Sequence, residues 1–356
     1  MRRLLKLLKW TVLALVLVVL LLLSPVAYVE TMCHEEVQPE TYKPLITDAG
    51  FRRQEANTYL TYPEWHIVYA YDGLAEALKT GDEKDFGYVS SVAGFWQTTC
   101  SLTRMADRHG GADSATRTMV HTIGVSFTLE MALKAAYEET IGRVTALIRG
   151  SEKTPQDKVA AEMAADYAEF LRQTPWYKFD FDAETQKLWA APVDDVVRGW
   201  ERRLALGGEW SAKTAYAGVI ADAVAATAPA KLEIRSVISG LGSADLAAIP
   251  NVKVISERPE GIEIETPRYD LFTRILVTIA ERGGSIREIA GNDDIMVTIT
   301  LPSAETYAGP GEVISRLKRD GFASDRALLA MKVTDLSGFL QLMPLADPGL
   351  EHVFDY

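Results

Sequence analysis

A run of twenty uncharged residues, Trp10–Val29, constrains this 356-residue chain more than any other stretch. An α-helix rises about 1.5 Å per residue, so about 20 apolar residues cross a hydrocarbon layer of roughly 30 Å. Arg2, Arg3, Lys6 and Lys9 precede the run, and Glu30, Glu35 and Glu36 follow it. That asymmetry favours a cytoplasmic N-terminus, with everything after Glu30 on the far side. Pro25 is expected to kink the exit end of the helix. A cleaved signal peptide also has a basic start and an apolar centre, but it needs a small-x-small site after it. Ser24-Pro25-Val26-Ala27 is a poor one. Residues 1–30 are therefore expected to be an uncleaved signal-anchor, a single transmembrane helix holding a periplasmic domain at a bacterial inner membrane.

The body after the anchor is acidic. The whole chain carries a net charge of −12, and residues 1–29 contribute four basic groups and no acid, which leaves −16 on the remainder. Such a body repels phosphate backbones, so nucleic acid is not expected as a partner. The sequence has two cysteines, Cys33 and Cys100. An oxidising compartment allows them to pair and would tie a soluble helix close to the membrane. The alternative is two unrelated thiols, one buried as a small hydrophobe.

Residues 31–53 read as a polar linker with Pro39 and Pro44. Residues 54–228 read as an all-helical domain. Thr61-Tyr62-Pro63-Glu64 has the form of a capping box opening a helix to about Lys79. Further helices are expected over 84–108, 114–149 and 155–173, then from Pro192 or Val193 to Gly207-Gly208, and from Ser211 to about Thr227. Val120, Ile123, Phe127 and Met131 form one apolar face of the long helix 114–149, which marks it as the centre of this domain.

The pattern changes at Pro229. Strand-like alternation over 231–239, 252–255 and 262–265 is interleaved with a short helix at 244–248 and a longer one at 269–282. Ile286–Ile289 and Ile295–Leu301 read as an interrupted strand or a hairpin. This is the βαββαβ order of ferredoxin-like domains, placed over 231–344, and the fold class expected is thus all-α followed by a small α+β domain. Val313–Arg319 is expected as a helix, Ala327–Val333 as a strand extending the sheet, and 345–356 as a loosely held tail.

Catalytic motifs are scarce. None of the five histidines stands in a metal-ligand spacing, and there is no Cys-x-x-Cys and no Gly-x-Ser-x-Gly. No metal and no cofactor are expected. The densest polar group among apolar residues is Glu64, Trp65, His66 and Tyr69, with His121 on the long helix as a second buried histidine. A buried His beside a carboxylate and phenols suits ligand binding or acid–base work; the plainer account is a satisfied core histidine. Trp176, Tyr177, Phe179 and Phe181 form an aromatic passage suited to a membrane or protein interface, or to capping the core. The function expected is a membrane-anchored scaffold, assembly or interaction factor of the cell envelope with a protein partner. The competing expectation is a ligand- or metal-binding protein or enzyme with its pocket around Glu64, His66, Tyr69 and His121.

Overall fold

The computed structural model describes residues 2–226 and 231–355; the expected helix end at Thr227 and the change of pattern at Pro229 lie outside the described residues. Helix α1 (Arg2–Met32) runs through Pro25 without a break. Among the described residues, its segment Leu8–Met32 is the one helical stretch long and apolar enough to cross a membrane. Residues 33–48 form no helix or strand; the chain is then mainly helical up to residue 226 and, from 233 on, forms two four-stranded antiparallel sheets.

The helical part comprises α2 (Glu55–Thr58), α3 (Tyr62–Thr80), α4 (Tyr88–Arg108), α5 (Ser114–Tyr137), α6 (Arg143–Arg149), α7 (Pro155–Leu171), α8 (Phe181–Ala190) and α9 (Val196–Ala226). Several start signals act as their chemistry dictates. Asp113 accepts from the Thr116 amide, and Thr154 and Asp157 cap each other's backbone reciprocally. Thr61 does not cap. The chain is already helical there, and the Thr61 hydroxyl donates back to the Thr58 carbonyl. The long helix is divided into α5 and α6 by a wide π turn, Glu138–Gly142. Helix α9 is continuous where two helices were expected. Gly207 does not stop it, because that glycine serves close packing: a Cβ there would lie 3.0 Å from the Trp189 indole nitrogen.

The first sheet holds β1 (Glu233–Ser239), β2 (Lys253–Arg258), β3 (Gly261–Pro267) and β4 (Ser285–Ile289), with α10 (Ser243–Ala247) after β1 and α11 (Asp270–Glu281) after β3. Its strand order is β2-β3-β1-β4. The second holds β5 (Asp294–Pro302), β6 (Glu312–Lys318), β7 (Ser324–Lys332) and β8 (Gly349–Val353), with α12 (Val333–Leu342) after β7, in the order β6-β7-β5-β8. Three expectations are corrected here. Residues 312–318 are a strand, not a helix, since their edges pair with β7. Residues 294–302 and 324–332 begin a separate sheet instead of extending the first. The C-terminal residues are not a loose tail: β8 pairs with β5, and Leu350, His352, Val353 and Phe354 are buried.

The two sheets repeat one plan. Each places its strands in the chain order two-three-one-four, with a long helix between the third and fourth. The irregularities also coincide. The first strand of each sheet shifts register against its fourth strand, between Val237 and Ile238 and between Thr298 and Ile299. The second strand shifts against the third at Val254/Ser256 and at Val313/Ser315. Ala290 N donates to Arg235 O after β4, just as Phe354 N donates to Met296 O after β8. The helices cross-connect the copies: the Ser337 hydroxyl of α12 accepts from Ile286 N in β4, and the Thr273 hydroxyl of α11 accepts from Val353 N in β8. One apolar core joins both sheets and both helices, with Phe272, Leu276, Leu336 and Phe339 at its centre. The other face of the second sheet, through Met296, Leu328 and Ala330, packs on Tyr62, Trp65 and Tyr69 of α3 and on α4.

Each cross-connecting hydroxyl satisfies a buried strand amide, and orphaning such a donor costs about 1–3 kcal/mol. Ser337→Ala and Thr273→Ala are each expected to lower unfolding free energy by about that amount, read as a shifted urea midpoint of the detergent-solubilised chain.

Candidate functional site

The residues singled out in the sequence do not converge on one pocket. Glu64 is exposed. Trp65 stacks on His352 with ring centroids 3.7 Å apart, and the Tyr69 hydroxyl meets Thr298 Oγ1 at 3.0 Å with the Arg326 guanidinium 3.5 Å from its ring. Both therefore belong to the interface between α3 and the second sheet. His66 is buried among Phe95, Phe127 and Tyr62, and burial pushes its pKa down to about 4. It is then neutral, and Nε2–H donates to the Ser91 carbonyl at 2.8 Å. His121 turns elsewhere, to Glu30 at 2.8 Å, and lies over Trp96. The aromatic passage packs inward: Phe179 and Phe181 sit against Tyr167, and Trp176 against Tyr216, with Tyr177 beside Trp176.

The end of α1 is gripped by the body. Cys33 and Cys100 form a disulfide. Glu30 accepts from Arg117 at 3.1 Å as well as from His121. His34 Nδ1 lies 2.8 Å from Asp107, whose carboxylate also takes the Glu35 amide. Glu30 meets residues 117 and 121, while His34 meets Arg117. Glu30 in the last turn of α1 and His34 just past it thus both meet the first turns of α5, and Val26 and Val29 pack on the helical core.

Behind α5 and α6 lies a buried ionic network. Arg198 and Arg202 of α9 are at most 1% exposed. Arg198 donates to Asp157, Glu83 and Glu201 at 2.9–3.1 Å. Arg202 donates to Glu138 at 3.0 Å and to Glu201. Arg149 joins Asp82 and Asp157. The acidic trio Asp82, Glu83 and Asp157 is thus already neutralised by arginines. With its charges turned in, α9 turns apolar residues out: Val197, Trp200 and Leu204 are 46%, 45% and 66% exposed. Ile141, Val144, Leu147 and Ile148 on the adjoining helix are exposed too.

A second polar site lies where residues 40–55 cross the turn between β4 and β5. A pocket of about 380 Å³ is lined by Glu40, Tyr42, Arg52, Arg53, Glu55 and Asn292, among others. Glu55 is 3% exposed; its Oε1 takes the Asp294 amide at 3.1 Å, and its Oε2 has no partner. Burial, with Asp294, Asp293 and Glu40 nearby, pushes its carboxyl up to about 9. His109 Nε2 lies 3.2 Å from the Tyr59 hydroxyl, while Nδ1 faces Glu40 at 3.6 Å and Asp294 at 3.8 Å. Sequence reading missed this group because its members come from the linker, α2, the α4–α5 turn and β5. The one signal was Asp293-Asp294 beside Gly291 in an otherwise apolar region.

Comparison with protein-family models, curated proteins and solved structures finds no match to this chain. A carboxyl raised from about 4.3 in the unfolded chain to about 9 in the fold binds its proton more tightly when folded. Its contribution to stability is intact below the unfolded value and is lost as the pH rises towards 9. Glu55→Gln is therefore expected to flatten the fall in melting temperature between pH 5 and pH 8.5, measured in buffer freed of divalent ions.

Proposed function

We propose that this chain is a non-enzymatic interaction or assembly factor of the cell envelope, anchored by α1 in the inner membrane with its N-terminus cytoplasmic and its body periplasmic. In the same reading, the ferredoxin-like arrangement expected over 231–344 belongs to residues 233–289, supported by the strand order of the first sheet; the second sheet shares that strand order without a helix after its first strand.

The observation that carries the proposal is the inverted polarity of α9. Water normally draws charged side chains outward, yet Arg198 and Arg202 are buried while Val197, Trp200 and Leu204 face out. Leaving such side chains in water forgoes about 1.5–3 kcal/mol each. An apolar face of this kind marks a surface covered by something apolar. Arg117 and His121 of α5, the helix that leads through the π turn into α6, grip the end of α1, so the face stands on helices joined to the proposed anchor. A membrane-embedded helix of a partner protein is the occupant that fits. The histidines offer no competing pocket, since His66 and His121 point to separate neighbours.

A photo-reactive residue at Leu204, in native membranes, is expected to give a discrete protein adduct, and one at exposed Glu169 is expected to give none. Lipid adducts alone at Leu204 would count against a protein partner. Leu204→Glu should leave thermal unfolding nearly unchanged, within about 0.5 kcal/mol as for most surface positions, yet abolish co-purification. A periplasmic reporter fused to the C-terminus should be active; activity of a cytoplasmic reporter there would reverse the topology.

A further inference from the structure

We infer that the cluster of Glu55, Glu40, His109 and Asp294, of which Glu40 and Glu55 line the pocket between residues 40–55 and the β4–β5 turn, binds one divalent cation. The proposal stands apart from the membrane reading and concerns a different part of the molecule.

Its first support is Glu55 Oε2. This oxygen has no hydrogen-bond donor, on a side chain 3% exposed whose residue lines the pocket. The ionised form of such a group is costly to bury alone, and an ion supplies the counter-charge that form requires. Geometry provides the second. One ligand atom each from Glu40, Glu55 and His109 lies within 4.8 Å of the others, and the same holds for Glu55, Asp293 and Asp294. The two groups share Glu55. His109 Nδ1 stands 3.6 Å from Glu40 and 3.8 Å from Asp294, too far for a hydrogen bond. A small contraction brings these atoms to the spacing of about 3–3.4 Å that ligands of one first-row ion adopt at metal–ligand distances near 2.1 Å.

The histidine is also oriented for ligation. Nε2 lies 3.2 Å from the Tyr59 oxygen; in the tautomer that donates its proton there, the lone pair of Nδ1 faces the carboxylates, as a hydrogen-bond partner on the other ring nitrogen arranges it at metal sites. Asn292 lines the same pocket, is 4% exposed, and leaves Nδ2 without a partner; it suits a water carried by the ion. Lys332 meets Asp293 and Asp294 at 3.0 and 2.7 Å and offsets part of the negative charge. Arg52 and Arg53 also line the pocket, and among the described residues neither forms an ion pair with these carboxylates. Carboxylate oxygens with one imidazole select a cation of the manganese-to-zinc kind over soft, thiolate-seeking metals.

The test uses the full chain in detergent, stripped of metal and titrated with Mn²⁺ and, separately, Zn²⁺, with free ion followed by electron paramagnetic resonance or a zinc dye. One equivalent per chain is expected, with a rise in melting temperature. Glu55→Gln and His109→Gln should each weaken binding at least about tenfold. No uptake of either ion by the folded wild-type chain would overturn the proposal, as would uptake unchanged in the variants. If Glu55→Gln fails to fold, His109→Gln decides alone, because its ring stands partly exposed.

Discussion

Two buried arginines hold the helical domain in its shape. Arg198 and Arg202 sit between α9, the π turn, α7 and the short turn at 83–85, each satisfied by several carboxylates. Breaking one member of such a set typically costs about 3–5 kcal/mol, because a charge is left uncompensated in the interior. The π turn at Glu138–Gly142 belongs to the same device. It widens the helix where Glu138 must reach Arg202, and Gly142 makes the room, since a Cβ there would collide with the Glu138 carboxylate. Once the charges are inside, the outward face of α9 has little left to show but apolar side chains.

That inversion bears on the role proposed for α1. A helix joined to a body by a flexible segment alone leaves that body free to tumble. Here the disulfide, the Glu30 contacts to Arg117 and His121, and the Asp107 clamp on His34 and Glu35 attach α1 to α4 and α5 at several points. The body's direction is set by the helix that enters it. The apolar face of α6 and α9 therefore has a defined orientation relative to α1.

The α+β part answers a different requirement. Two sheets with the same strand order and the same register shifts each bury one face against α11 and α12, and each helix closes a strand of the other copy. Their remaining faces are used differently. The second sheet receives the aromatic residues of α3. The first is crossed by the 42–46 segment, where Tyr42 and the Ile46 amide donate to buried Glu288. The pocket and the acidic cluster beside it form where that crossing segment meets the junction of the two copies, so they need the linker, α2, the α4–α5 turn and the start of β5 in place together.

What the sequence determined by itself was local. The length and lack of charge of Trp10–Val29, the caps at Asp113 and Thr154, the helical period of Val120–Met131 and the alternation of the first three strands all rest on neighbours a few residues apart. Those signals survive in any context. The fate of 312–318 did not, because a strand at a sheet edge is made by its partner, β7, and not by its own period. Nor did the C-terminal strand, the continuity of α9 through Gly207, or the partners of His66 and His121, each settled by side chains distant in the chain. The acidic pocket lies wholly on that second side: Glu40, Glu55, His109 and Asp294 are separated by up to 254 positions in the sequence. Tertiary packing alone places a buried carboxylate, an imidazole and their neighbours within reach of one another.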